Sequence, residues 1–160
     1  MQLLGDDGQT YAREVLRHPG AVVLLPILDD DHIVMIRNRR PTIDETLLEL
    51  PAGTREPDEA PEATAIRELI EEAGYEAKQL RLLHEFYSAP GISDEVMWLY
   101  EASSLRHVGA EPEAVEAIQP AILSRDEVRR MLRAGEIRDG KTLVGIYAWL
   151  MSGEVADEPA

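Results

Sequence analysis

The sequence predicts an α/β fold in which a mixed β-sheet is layered between helices. Strand-like segments lie on both sides of a helix-forming segment at 61–73, and two further helix-forming segments close the chain. Helices arranged in this way pack on the faces of a sheet. The length of 160 residues suits one domain with a single sizeable core. We assign that domain to residues 1–153 and expect the acidic tail at 154–160 to be disordered.

Seven segments are rich in apolar residues and are bounded by turn-forming residues, as strands are. The second is a nearly continuous apolar run, AVVLLPIL, which is typical of a strand buried on both faces. The acidic turn at 29–31 joins it to the third as a hairpin, and the polar segment 103–114 is expected to be a mobile loop. The seven predicted strands are 11–17, 21–28, 32–37, 46–50, 77–87, 96–102 and 117–123.

The central helix has clear signals at both ends. Pro61 suits the first helical position, because its fixed φ fits the helix and its missing N–H is not needed there. Gly74 suits the left-handed residue that follows a helix. Between them, apolar residues recur at helical spacing and predict a broad buried face. Those residues are Ala63, Ile66, Leu69, Ile70 and Ala73.

The last two helices are predicted from caps and periodicity. Ser124 and Glu127 have the spacing of a capping box for a helix that ends before Gly135. The final helix is expected at about 142–151. Its predicted apolar side consists of Leu143, Ile146, Tyr147 and Leu150.

Three carboxylates share one side of the central helix near its C-terminal end. Glu68 lies three residues before Glu71 and four before Glu72. Like charges at these spacings repel by roughly 0.2–0.5 kcal/mol per pair, and the helix dipole disfavours anions at this end. A divalent cation with oxygen ligands would relieve that repulsion. A solvated acidic surface is the alternative interpretation of the carboxylates alone.

The composition restricts the class of protein. A formal charge of −15 repels nucleic acid polymers and anionic membranes, so neither is an expected partner. The absence of cysteine excludes disulfides and thiolate metal sites. The first residues carry acids where a secretory signal carries bases and an apolar run, so a cytoplasmic location is expected.

The acids belong to a longer pattern. Gly53 is followed after five residues by Glu59, after seven more by Arg67-Glu68-Leu69, and then by Glu71-Glu72 and Gly74. This pattern resembles the signature of the Nudix hydrolases at every charged and glycine position, and Leu50-Pro51-Ala52 resembles its usual lead-in. Only Tyr75 departs, where an aliphatic residue is usual.

The resemblance implies a Nudix-type α/β/α sandwich and metal-dependent hydrolysis of a nucleoside diphosphate derivative, a small-molecule substrate. The cofactor would be Mg²⁺, with Mn²⁺ as the alternative. Glu68 and Glu72 would be its principal ligands, Glu71 would bind directly or through water, and the carbonyl of Ala52 would complete the site. Glu72 and Glu71 would thereby be catalytic. Structural roles are implied for Gly53, Glu59, Arg67 and Gly74.

The flanking sequence resembles the ADP-ribose pyrophosphatase subgroup. The stretch IRNRRPTIDETLLELPAG aligns with that subgroup without a gap, and Arg40 keeps the place of a substrate-contacting arginine. Arg37 and Arg40 are therefore candidate substrate-binding residues, and Pro90 is a third. Pro90 falls sixteen residues after Gly74, as is typical of the subgroup, and IRDGKT at 137–142 resembles the lead-in to its last helix. These matches imply hydrolysis of ADP-ribose to AMP and ribose 5-phosphate.

The general base of this subgroup lies on a late loop, which implies Glu116, with Glu113 as the alternative. Other substrates stay open: a different nucleoside diphosphate sugar, a dinucleoside polyphosphate or a nicotinamide dinucleotide. A non-catalytic nucleotide sensor is a second alternative. Because members of the subgroup are commonly dimers, the resemblance also allows a homodimer.

Overall fold

The computed structural model describes residues 1–110 and 117–152. Their strands are β1 Gln2–Leu4, β2 Thr10–Ala12, β3 Ala21–Pro26, β4 His32–Arg40, β5 Glu45–Glu49, β6 Ala52–Thr54, β7 Tyr75–Tyr87, β8 Val96–His107 and β9 Ile118–Ser124. The helices are α1 Pro61–Glu68, which a π-helical segment continues at Leu69–Ala73, α2 Arg125–Arg133 and α3 Gly140–Ser152. Glu113, Glu116 and the tail at 154–160 lie outside the described residues.

The strands form two larger sheets and a small hairpin. A four-stranded sheet has the order β6-β3-β8-β7, with β3 parallel to β8 and the other pairs antiparallel. This is the predicted mixed sheet. A second, antiparallel sheet has the order β5-β4-β9, and β1 pairs with β2. The mixed α/β fold class is therefore confirmed.

The predicted hairpin between β3 and β4 forms only at its turn, and the prediction that the two strands pair along their length is wrong. An isolated bridge joins Ile27 to Ile33, after which the two strands separate into different sheets. Both strands are apolar runs, and β3 is buried along its whole length. A strand with two apolar faces can be covered on both sides. Both β3 and β4 therefore lie in the interior of a sheet, and each has a neighbouring strand on either side.

Side chains of β3 alternate between two halves of the core. Val22 and Leu24 pack in a cluster with Ala65 and Leu69 of the central helix. The intervening residues pack on the opposite side of the sheet, in a cluster that includes Ile146 and Trp149 of α3. Alternation along a strand thus places helices on both faces. The resulting layers support the central helix and place its carboxylates beside β6.

The central helix begins and ends where the sequence predicts, at Pro61 and before Gly74, whose φ is 77°. Its buried face differs from the prediction. Ala63 is exposed and Ile66 is 55% exposed, while Glu68 and Glu72 are buried. The helix turns this acidic edge inward, because the carboxylates find partners there, and leaves part of the apolar stripe at the surface.

Three further predictions need correction. In α3, Tyr147 is exposed, and Trp149 takes its place in the core. The segment 103–107 is not a loop, because β8 continues to His107 and pairs with Tyr75. Of the predicted edge strand at 11–17, only the start forms a strand, and it pairs with β1.

Across the described residues, none of the helices is both long enough and apolar enough to span a bilayer.

Candidate active site

Two of the three carboxylates point into the protein beside β6. Glu72, 2% exposed, accepts a hydrogen bond from the backbone N–H of Ala52 at 2.8 Å. The carboxylate of Glu68 lies against Gly53, where a Cβ would overlap its Oε1 and Cδ atoms. Only glycine leaves room for this approach. Strand β6 and the central helix therefore fix each other's geometry.

Arg67 ties this helix to the loop before it. Its guanidinium donates to Glu59 at 3.2 Å, to Glu68 at 2.6 Å and to Glu71 at 3.0 Å. Glu59 also accepts from the Thr64 hydroxyl at 2.8 Å. The hydrogen bond with Arg67 lowers the pKa of Glu59 to about 2, and the same bond raises the pKa of Arg67.

The stability of the folded protein should depend on pH because the pKa of Glu59 differs between the folded and unfolded states. Its pKa in the folded protein, about 2, lies below its ordinary value of 4.5, so the unfolded chain binds the proton more readily. The stabilisation is complete above pH 4.5 and is lost as the pH falls towards 2. We expect Glu59→Gln to be less stable than the wild type at pH 6, with a difference that shrinks between pH 4.5 and 2. Urea denaturation midpoints across this range measure it, and a pH-independent difference would contradict it.

A cavity of about 500 Å³ opens beside Ala52 and Gly53. It is bounded by the ends of β4, β6 and β7 and by the start of α3. Its volume matches that of small-molecule sites. The other lining residues are Ala21, Arg40, Thr54, Phe86, Tyr87, Ser88, Glu95, Met97, Asp139, Gly140, Lys141 and Val144.

Glu49 anchors the cationic side of the cavity. Its side chain is 1% exposed and accepts from Arg40 through Nε at 2.8 Å and Nη2 at 2.6 Å. It also accepts from Lys141 Nζ at 2.6 Å. The hydrogen bond with Glu49 raises the pKa of Arg40 against the effect of burial, and the charges of Glu72 and Asp139 act in the same direction. Arg40 is thus a cation held in place by Glu49, and its charge is favoured by the nearby carboxylate of Glu72 on the central helix.

Asp139 holds the start of α3 at the cavity. Its Oδ2 accepts from the backbone N–H of Thr142 at 3.0 Å, from the Thr142 hydroxyl at 2.6 Å and from Lys141 at 2.9 Å. The Thr142 oxygen accepts in turn from the backbone N–H of Leu50 at 2.9 Å. Burial raises the pKa of Asp139, but the charge of Lys141 and these hydrogen bonds outweigh it and leave the pKa below its ordinary value.

Not every predicted substrate residue reaches the cavity. Arg37 is exposed on β4, and neither Arg37 nor Pro90 is among the described residues that line the cavity. The loop that contains Pro90 does contribute through Ser88, whose hydroxyl donates to Glu95. Glu95 also lies 3.3 Å from His18 Nδ1.

The carboxylates have the donor chemistry that a hard divalent cation needs, since Mg²⁺ and Mn²⁺ bind oxygen ligands. The three carboxylates have different partners. Glu68 and Glu71 accept hydrogen bonds from Arg67, whereas Glu72 accepts one from the backbone of Ala52. Within the described ranges, no three Asp, Glu or His side chains converge as a ready-made metal cluster.

Glu49, Asp139, Lys141 and Glu95 were missed as site residues in the sequence. Glu49 had one usable signal, because it is an acid in the otherwise apolar strand TLLEL directly before the signature. A charged side chain in a buried strand needs a partner. Lys141, its partner, lies 92 residues away, a distance that no local pattern bridges.

Comparison with known proteins identifies related sequences and folds. Residues 17–143 match the NUDIX domain family. A methanol dehydrogenase activator of Bacillus methanolicus is 37% identical over 142 residues, covering 88% of this chain and 77% of that protein. An ADP-ribose pyrophosphatase of Bacillus subtilis (strain 168) is 35% identical over 142 residues, with the same coverage. The crystal structure of an ADP compounds hydrolase superimposes with a TM-score of 0.82 at 24% identity, covering 95% of this chain and 84% of that one.

Proposed function

This chain belongs to the Nudix hydrolase family, and from that premise we propose that it hydrolyses ADP-ribose to AMP and ribose 5-phosphate. One observation carries the substrate class. A fixed cation, Arg40, lines the same cavity as Ala52 and Gly53 of β6, against which Glu72 and Glu68 lie. A pyrophosphate needs both features: cations for its own charge and carboxylates for its counterion. The B. subtilis relative supports ADP-ribose as the specific substrate.

Hydrolysis adds water across the P–O–P linkage. The oxygen of water bonds to one phosphorus, and the bond from that phosphorus to the bridging oxygen breaks. The transition state carries negative charge on the phosphoryl oxygens, so catalysis depends on positioning and electrostatic stabilisation. Arg40 would orient the pyrophosphate through charged hydrogen bonds, since its guanidinium is already held by Glu49.

Nudix hydrolases generally use divalent metals, and we propose Mg²⁺, with Mn²⁺ as the alternative. Glu68 and Glu72 would hold the ion, with Glu71 bound directly or through water and the carbonyl of Ala52 as a further ligand. When bound, the ion would neutralise charge on the phosphate oxygens. Glu116, with Glu113 as the alternative, would accept the proton of the attacking water.

The sensor alternative has less support than catalysis. A protein that only senses nucleotides does not need an intact set of acids on the central helix. Here Glu68 and Glu72 are both buried and lie against Ala52 and Gly53 of β6. Their position against residues that line the cavity favours a role in the reaction.

ADP-ribose should be the preferred substrate in a side-by-side comparison with ADP-glucose, a diadenosine polyphosphate and dATP. Against dATP the reason is that a site with polar groups for a second sugar leaves those groups unpaired when the sugar is absent. Against ADP-glucose and the diadenosine polyphosphate the expectation rests on the similarity to the B. subtilis ADP-ribose pyrophosphatase. The measurement is kcat/KM for each substrate with Mg²⁺, together with chromatographic identification of AMP and ribose 5-phosphate.

Excess chelator is the control, and it should abolish turnover until Mg²⁺ is restored. If another compound ranks above ADP-ribose, the specific substrate is wrong, while the family assignment stands. Turnover that persists in chelator would instead contradict the role given to the three carboxylates.

A further inference from the structure

Residues 55–60, which we call the signature loop, connect β6 to the central helix. They are exposed to solvent apart from Arg55 and Glu59. A loop with so little buried surface is held mainly by its hydrogen bonds, so these two residues have a large share in fixing its position. Glu59 belongs to the family signature, whereas Arg55 lies among the five residues that the signature leaves unspecified.

Arg55 joins the signature loop to the turn before β3. Its Nε donates to the backbone carbonyl of Glu59 at 2.9 Å, and Nη2 donates to the same oxygen. Its Nη1 donates to the carbonyl of Pro19 at 3.2 Å, and its backbone N–H donates to the carbonyl of Gly20 at 3.0 Å. One side chain thus closes the loop on itself and fastens it to a second segment of the protein.

The guanidinium of Arg55 also lies over the ring of Trp98 in β8, with Cζ 5.2 Å from the ring centroid. A cation at this distance is attracted to the face of an aromatic ring. The ring itself is fixed, because its Nε1 donates to Glu85 on β7 at 2.8 Å. It also packs on Gly20, where a Cβ would overlap the ring. Arg55 is therefore anchored on a rigid part of the four-stranded sheet.

From Arg55, a chain of contacts leads to the carboxylates of the central helix. Arg55 holds the backbone of Glu59, and the carboxylate of Glu59 accepts from Arg67 at 3.2 Å. Arg67 in turn donates to Glu68 and Glu71. A shift of Glu59 would therefore move Arg67, and the positions of both helix carboxylates would change with it.

We propose that Arg55 is a positioning residue for the metal-binding carboxylates, on which it acts from outside the site through Glu59 and Arg67. Residues that orient metal ligands from behind typically contribute about 10- to 100-fold to metal affinity. Because Arg55 acts through two further residues, the expected effect lies near the lower value. This inference rests on the proposed function, in which the three carboxylates of the central helix hold a divalent ion.

Mn²⁺ binding in the absence of substrate tests this role. Free Mn²⁺ is measured by electron paramagnetic resonance with the wild type, Arg55→Leu and Glu72→Gln. The binding that Glu72→Gln lacks defines the site on the central helix and separates it from ions bound elsewhere on an acidic protein. Arg55→Leu should weaken binding at this site about 10-fold. Wild-type affinity in folded Arg55→Leu, judged by its thermal melting curve, would overturn the proposal.

Arg81→Leu is the matched control. Arg81 is an exposed arginine on the same sheet, and it pairs with Glu101 on β8. Its replacement makes the same charge change as Arg55→Leu without touching the signature loop, so Mn²⁺ affinity should equal that of the wild type. An equal loss of affinity in both variants would show that the effect comes from net charge, and it would overturn the role of Arg55.

Further variants separate positioning from stability. A role limited to stability would lower the melting temperature and leave the Mn²⁺ affinity of the folded protein unchanged. Arg55→Lys keeps a charge over Trp98 but donates fewer hydrogen bonds, so it should recover part of the affinity. Trp98→Leu should weaken Mn²⁺ binding as well, and its effect should not add to that of Arg55→Leu, because the two side chains act as a unit. If Arg55→Leu does not fold, wild-type affinity in both Arg55→Lys and Trp98→Leu overturns the proposal.

Kinetics provide a second measure of the same role. In Arg55→Leu, the Mg²⁺ concentration for half-maximal turnover of ADP-ribose should rise by the factor found for Mn²⁺. The KM for ADP-ribose at saturating Mg²⁺ should change much less, because Arg40 is held by Glu49 on other strands. A raised KM with an unchanged Mg²⁺ requirement would place Arg55 in substrate binding and contradict its role toward the carboxylates.

The two proposals can fail separately. If the wild type does not hydrolyse ADP-ribose but Arg55→Leu still weakens Mn²⁺ binding at the helix site, the substrate is wrong and the role of Arg55 stands. If ADP-ribose is hydrolysed and Arg55→Leu binds Mn²⁺ as the wild type does, the role of Arg55 is wrong and the substrate stands. If Glu72→Gln binds Mn²⁺ as well as the wild type, the metal site itself is contradicted and the role of Arg55 falls with it.

Discussion

Glu72→Gln is expected to lower kcat by about 10²–10⁴-fold, which is the scale for losing a principal electrostatic group. The substitution removes the charge but keeps an oxygen that can accept the hydrogen bond from Ala52. The fold should therefore persist, and its stability without metal should hold or rise because one repelling charge has gone. Steady-state kinetics with Mg²⁺ and ADP-ribose, together with thermal melting, measure both effects.

Glu56→Gln is the matched control, because Glu56 is an exposed acid in the loop just before the same helix. It should retain wild-type kinetics, which would show that the loss of one negative charge from this region is not sufficient to lower kcat. If Glu72→Gln keeps more than about a tenth of the wild-type kcat, Glu72 is not a principal group in the reaction.

Gly53→Ala should inactivate the enzyme with little loss of stability. The added Cβ would overlap the carboxylate of Glu68, which is the far end of a flexible side chain and can move aside. The backbone need not rearrange, but Glu68 must leave its place. Misplacement of a catalytic group by about 1 Å can cost about 10²-fold, and we expect a loss of at least this size.

Gly91→Ala is its control, because a Cβ at Gly91 meets nothing within 4 Å. The two variants should have similar melting temperatures and very different kcat values. A Gly53→Ala variant with nearly full activity would show that the position of Glu68 against Gly53 is not needed. A variant that fails to fold would contradict the view that only this side chain has to move.

The sequence predicted correctly those features of the fold that depend on residues close together along the chain. Pro61, Gly74, Ser124 and Glu127 set the ends of helices correctly, because caps depend on neighbouring backbone. Local signals could not show that β3 and β4 enter different sheets, since an apolar run does not encode its partner strand. They also misplaced Ile66, whose exposure follows from the burial of Glu68 and Glu72 on the same helix.

Prediction of the site had a similar limit. The spacing of the signature identified Gly53 and the helix carboxylates, and the structure brings them together. Glu49 and Lys141 carry no such spacing, because their pairing depends on the last helix packing beside β5. Roles for Glu113 and Glu116 stay predictions, as both lie outside the described residues. Arg40 reaches the cavity, whereas Arg37 on the same strand does not.

The topology has a consequence for self-association. β7, a strand of 13 residues, is the outer strand of the four-stranded sheet, and among the described strands only β8 pairs with it. A long open edge can recruit a strand from another molecule and start aggregation. In β7 the register shifts between Leu82 and His84, which interrupts the regular spacing of N–H and C=O groups along that edge. An interrupted edge is a poorer template for a strand of another molecule, so β7 carries a local obstacle to edge-to-edge pairing.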